Sequence, residues 1–164
     1  MDQVRTDIRT ILVVEDYEDV RKMLKILLES EQFGVLEASS GAEALKIVKS
    51  GRPDVILMDL ALPGFDGFET IRRIRNIDGF QNTPIVILSA YSGPSVCETA
   101  RRARIEVFIT KPIDFDELAE VLEQILTDGR ARKTKSTRSS AKRALIPGKM
   151  ATPSAMIREA RLTI

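Results

Sequence analysis

The sequence predicts an α/β fold with a parallel, doubly wound sheet, on three observations. Short continuous apolar runs alternate with helical patterns five times up to about residue 127. The runs are unbroken rather than alternating, as strands covered on both faces require. The spacing between runs, about 20 residues, leaves room for one crossover helix each, and right-handed crossovers then place helices on both faces. The strong runs are Ile11-Leu12-Val13-Val14, Val55-Ile56-Leu57-Met58 and Ile85-Val86-Ile87-Leu88. Two weaker ones are Gly34-Val35-Leu36-Glu37-Ala38 and Glu106-Val107-Phe108-Ile109.

The helices follow in order. Val20, Met23, Leu24, Leu27 and Leu28 keep helical spacing. Ser40 with Glu43 reads as a capping box opening the second helix. Phe68, Ile71 and Ile74 mark the third, and residues 94–103 the fourth. Leu118, Val121, Leu122, Ile125 and Leu126 form the apolar face of the fifth, with Asp114 and Glu117 at its start. Residues 9–127 are thus expected to be one domain.

Beyond it, residues 128–164 are polar and basic, and are expected to be mostly disordered because they bury too little to offset ordering entropy. A short helix near Thr152 to Leu162, with Pro153 at its first position, is marginal on its own. The net charge of +1 conceals a division. From Asp128 onward there are ten Lys/Arg against two acids, which leaves 15 basic and 22 acidic residues before it, about −7 for the body and +8 for the tail.

Composition excludes several classes. The chain has no histidine, which removes imidazole catalysis and ordinary zinc sites. The single cysteine, Cys97, has no internal disulfide partner and reads as a small helix residue rather than a redox centre. No apolar run reaches membrane-spanning length and no secretion leader opens the chain, so a cytoplasmic protein is expected.

Parallel sheets present ligand sites at the carboxyl ends of their strands. Here those ends carry Glu15-Asp16, Asp59, Ser89-Ala90 and Thr110-Lys111-Pro112. Three carboxylates, a hydroxyl and an ammonium therefore converge on one edge. Crowded carboxylates repel one another. A hard divalent cation with oxygen ligands, magnesium above all, relieves that repulsion. An aspartate can also attack phosphorus and become an acyl phosphate, a reaction that needs chiefly positioning and charge neutralisation. Lys111 and a metal ion would neutralise charge, and Ser89 would donate to a phosphoryl oxygen.

These stretches, Val14-Glu15-Asp16, Met58-Asp59 through Gly67, Leu88-Ser89-Ala90 and Thr110-Lys111-Pro112, resemble the response-regulator receiver family of two-component systems. Each signal is weak alone; the four in order, one per strand, are specific. The resemblance implies a flavodoxin-like sheet of order 2-1-3-4-5 with five helices. It implies Asp59 as phosphoacceptor, Asp16 as a direct Mg2+ ligand and Glu15 as a ligand through water. The Ala61 carbonyl matches the third protein ligand and Lys111 the phosphate-pairing lysine. Ser89 and Phe108 match the switch hydroxyl and aromatic, though core packing explains Phe108 equally well. A cis Lys111–Pro112 bond is also implied. The expected role is phosphorelay signalling, with a histidine kinase or histidine phosphotransfer protein as donor and a downstream protein as target. Enzymatic turnover is not expected beyond self-catalysed phosphoryl acceptance and slow autodephosphorylation.

Two departures stand out. Ala103-Arg104-Ile105 replaces the family's small Gly-Ala turn, where glycine permits a positive φ. Ala61 places an apolar methyl two residues beyond Asp59. That argues against a phosphohydrolase, which needs a second acid there to protonate a leaving group. With about 37 residues after the domain, too few for an easily independent core, a single-domain regulator acting by protein contact is expected. The alternative is a nucleic-acid-binding basic tail with a transcriptional role, although it lacks aromatic residues for stacking. The tail folding back on the acidic body is a further possibility raised by the charge division.

Overall fold

The computed structural model describes residues 8–64, 66–90, 93–105 and 107–135, without the side chains of Cys97 and residues 128–135. Glu106 of the weak fifth run, the Cys97 side chain, Phe65 of the third motif and the expected helix near Thr152 lie outside the described residues.

Five strands alternate with five helices: β1 Thr10–Val14, α1 Glu18–Ser30, β2 Gly34–Ala38, α2 Gly41–Gly51, β3 Val55–Asp59, α3 Gly67–Arg75, β4 Ile85–Ser89, α4 Pro94–Arg102, β5 Val107–Thr110 and α5 Phe115–Lys135. All pairings are parallel and the order is β2-β1-β3-β4-β5. The three strong apolar runs occupy the three inner positions, and β3 and β4 are buried throughout. The two weaker runs are the edges, which need less apolar cover.

Because successive strand residues face opposite sides, the runs feed two cores. Leu12, Val14, Ile56, Met58, Ile85 and Ile87 pack with residues of α2 and α3, among them Ala44, Val48, Ile71 and Ile74. Ile11, Val13, Val55, Leu57, Val86 and Leu88 pack on the other side with Leu24 and Leu28 of α1 and Leu118, Val121 and Leu122 of α5. Both cores are nearly dry, which holds the strand ends, and the side chains they carry, in fixed register.

Local chemistry sets the helix starts. The Ser40 hydroxyl accepts from the Glu43 N–H, as a capping box requires. The Glu43 carboxylate reaches one residue further back than that motif predicts, accepting from the N–H and hydroxyl of Ser39. Asp66 caps α3 through the Glu69 N–H. Asp114 accepts from the N–H groups of Asp116 and Glu117 at the start of α5. At α2, α3 and α5, backbone N–H donors left over in the first turn are thus paired with carboxylates or hydroxyls.

Two features differ from expectation or sharpen it. Helix α5 does not stop where its apolar pattern ends but continues to Lys135. Once a helix is nucleated, extension through Ala, Arg and Lys costs little, so periodicity alone sets its end too early. At the suspected turn Arg104 does take a left-handed conformation, φ 54, in a position suited to glycine. Gln32 and Arg52 do the same after α1 and α2. Each such residue costs about 1 kcal/mol relative to glycine.

Gly67 controls the approach of α3 to the end of β3. A Cβ there would lie 2.6 Å from the Asp59 carbonyl oxygen and 2.8 Å from the Leu60 Cα. Both are backbone atoms that cannot rotate away. Gly67→Ala is expected to destabilise the fold by about 1–3 kcal/mol, read as a lower urea midpoint at unchanged m-value.

Candidate functional site

The site is assembled at the carboxyl edge of β1, β3, β4 and β5. Glu15 follows β1 directly and its N–H donates to the Ala38 carbonyl of β2 (3.0 Å), so the loop leaves the sheet still tied to its neighbour. Asp59 is the last residue of β3 and Ser89 the last of β4. Lys111 follows β5, and its N–H donates to the Ser89 carbonyl at 2.9 Å. The Lys111–Pro112 bond is cis.

The Lys111 ammonium donates to Asp59 Oδ2 at 2.6 Å and to Glu15 Oε2 at 2.7 Å. Glu15 and Asp59 are almost wholly buried, at 1% and 3% exposure, so this bridge lies largely out of water. The other oxygen of Asp59 accepts from the Ala61 N–H at 2.9 Å, and that of Glu15 from the Tyr17 N–H at 3.3 Å. Asp16 is partly exposed. One carboxylate oxygen from each of Glu15, Asp16 and Asp59 falls within 4.8 Å of the others, a donor set able to hold a metal ion. All-oxygen donors, two of them buried beside a third open to solvent, fit a hard divalent cation that keeps part of its water.

The electrostatics follow from burial. Desolvation pushes the Glu15 carboxyl above its ordinary value; the Lys111 hydrogen bond opposes this and the Asp59 charge adds to it. For Lys111 burial pulls the ammonium down, but the bonds to Asp59 and Glu15 outweigh it and the net shift is upward. The cluster thus contains three acids and one base, and the single ammonium is shared by the two that are buried.

The structure brings Glu15, Asp16, Asp59 and Lys111 together as the sequence predicts. Ser89 is buried at the end of the strand next to Asp59. Ala61 is exposed, two residues on. Phe108 is partly buried, paired in register with Ile87 and packed against the core under α2 and α3.

Sequence reasoning missed Arg21. Its guanidinium donates to the carbonyls of Glu15 (2.8 Å) and Asp16 (3.3 Å) and lies 3.7 Å from the Glu37 carboxylate. Glu37 is held in turn by Lys25 at 2.6 Å. Arg21 therefore fixes the backbone of the acidic pair from the first turns of α1. A polar residue on an amphipathic helix carries no mark of this role; only the reversal of the chain after β1 brings it there.

A raised Glu15 pKa gives a definite pH dependence in the absence of divalent ions. The folded state binds the Glu15 proton more tightly than the unfolded chain. Its contribution is therefore most favourable below the unfolded value, near 4.5, and is lost as pH rises through the folded value. With a chelator present, the unfolding free energy of Glu15→Gln relative to the native chain is expected to increase as the pH rises above 4.5. A constant difference across that window, measured by urea unfolding, would remove this account of Glu15.

Comparison with known proteins agrees with the geometry. The family model for the response regulator receiver domain matches residues 11–123. Sporulation initiation phosphotransferase F of Bacillus subtilis is 31% identical over 71% of this chain and 92% of its own. The polar-differentiation response regulator DivK of Brucella anthropi is 29% identical over 73% of this chain and 98% of its own. The solved structure of chemotaxis protein CheY4 of Vibrio cholerae superposes with a TM-score of 0.70 at 26% identity, covering 72% of this chain and 98% of that one. Receiver domains are signalling domains that bind Mg2+ at an acidic pocket and act with histidine kinases and phosphotransfer proteins. With its sheet order, its acidic edge and the matched span in agreement, the chain belongs to the response regulator receiver domain family.

Proposed function

We propose that Asp59 is the phosphoacceptor of this receiver and that Glu15, Asp16, Asp59 and the Ala61 carbonyl hold a magnesium ion beside it. The observation that carries this reading is the Lys111 ammonium bridging Asp59 and Glu15 at 2.6 and 2.7 Å, with Asp16 completing a three-carboxylate donor set. The ammonium that pairs with the Asp59 carboxylate is placed to pair with a phosphoryl oxygen once that carboxylate is phosphorylated. The phosphoryl group arrives from a phosphohistidine of a kinase or phosphotransfer protein. The P–N bond breaks, an Asp59 oxygen forms the new P–O bond, and the histidine nitrogen takes up a proton.

The residues divide the work. Lys111 neutralises charge on the transferred group. The Ala61 N–H holds one Asp59 oxygen and so aims the other toward the donor. A magnesium ion held by Glu15, Asp16, Asp59 and the Ala61 carbonyl would supply further charge neutralisation. Ser89 donates its hydroxyl to the phosphoryl group, and Phe108 follows it inward, shifting a pre-existing two-state equilibrium of the interaction face. Arg21 keeps the acidic pair in place.

Turnover as a phosphohydrolase is disfavoured because Ala61 offers no acid to a leaving group. No helix among the described residues is long and apolar enough to cross a membrane.

Incubation of the full chain with a small acyl phosphate and magnesium is expected to label the native protein and not Asp59→Asn. Chelation of the metal is expected to suppress the label by at least about tenfold. Equal labelling of the native chain and the variant refutes the assignment.

A further inference from the structure

A groove of about 580 Å³ runs between α3 and the end of α4. Four guanidinium groups line it, those of Arg72, Arg75, Arg102 and Arg104, against the carboxylates of Asp66 and Glu69. Its size is that of a ligand-binding cleft, and its charge is opposite to that of a body carrying about −7.

The walls are fixed by Arg75. Its guanidinium donates to the carbonyls of Phe80 and Thr83 after α3 and, at 2.9 Å, to that of Arg104 after α4. One side chain thus joins both sides of the groove, so an occupant meets a preformed surface. The other arginines are available. Arg72 and Arg102 pair with Glu69 and Glu98 only at the surface, with side-chain exposures of 74% and 78%. Such pairs contribute little and exchange partners readily. Arg104 is exposed, and among the described residues its guanidinium has no ion-pair partner. Partly buried Phe68 and Ala103 supply an apolar strip in the same groove.

We propose that this groove docks an acidic polypeptide segment of a partner protein, whose carboxylates engage Arg104, Arg72 and Arg102 while one apolar side chain rests on Phe68. Planar guanidinium groups favour bidentate pairing with carboxylates. Charge complementarity excludes the chain's own segment from Asp128 onward, which carries about +8. A nucleic acid fits less well: Glu69 and Asp66 interrupt the basic lining, and the acidic body repels a long polyanion. The proposal does not depend on which residue accepts phosphate.

The left-handed conformation of Arg104 provides the test, since Arg104→Gly removes the guanidinium while relieving the backbone. Binding to the full chain is measured by fluorescence anisotropy with a short labelled peptide of alternating Glu and Ser carrying one central Phe. The native chain is expected to bind it in a salt-sensitive manner. Arg104→Gly is expected to weaken binding by about tenfold with an equal or higher unfolding midpoint and undiminished labelling at Asp59. Because the basic tail is present in both proteins, the difference reports the groove. Equal affinity in the variant, no binding by the native chain up to about 1 mM, or equally Arg104-dependent binding of a single-stranded oligonucleotide would each overturn the proposal.

Discussion

The arrangement of the site rests on the cost of keeping two carboxylates out of water. Glu15 and Asp59 are almost fully buried at the ends of adjacent strands, where each charge loses most of its hydration. Lys111 makes this tolerable by donating to both. The lysine follows the far edge strand, 52 residues from Asp59 and 96 from Glu15 along the chain. Strands β1, β3, β4 and β5 must therefore be in register before the charges are compensated. The proposed phosphoryl transfer and the closure of the fold draw on the same contact.

The parallel topology explains why so few residues suffice. Every strand of a parallel sheet ends at the same edge, so one chemically active residue after each of four strands yields a pocket without long loops. The price is a sheet covered on both sides, and the chain provides it with two separate apolar layers. Those layers fix side-chain direction as well as position. Met58 faces one core and Leu57 the other, which determines where the next residue, Asp59, can point.

The sequence made much of this legible because the relevant signals are local. Continuous apolar runs located β1, β3 and β4 to within a residue, and the acids following the first two located the pocket. Asp114 was recognisable as a cap because its partners lie two and three residues away. What escaped depends on contacts between distant segments. Arg21 looks like any polar residue of an amphipathic helix until the β1–α1 loop folds over it. The role of Arg75 is equally invisible, since its partners are main-chain carbonyls with no sequence signature. Arg104 was conspicuous only as a departure from a glycine-bearing turn; the groove it lines arises from two helices meeting in space. The end of α5 was set too early because apolar periodicity records burial, whereas a helix persists beyond its buried face.

The main-chain bond from Lys111 to Ser89 has a mechanical meaning. It couples the ends of β4 and β5 so that neither can slide along its axis alone while the bond survives. The base that answers to charge on Asp59 and the hydroxyl on the adjoining strand therefore sit on one stiff tab. A tug at either is conveyed to the other through the peptide frame, with no intervening side chain to absorb it.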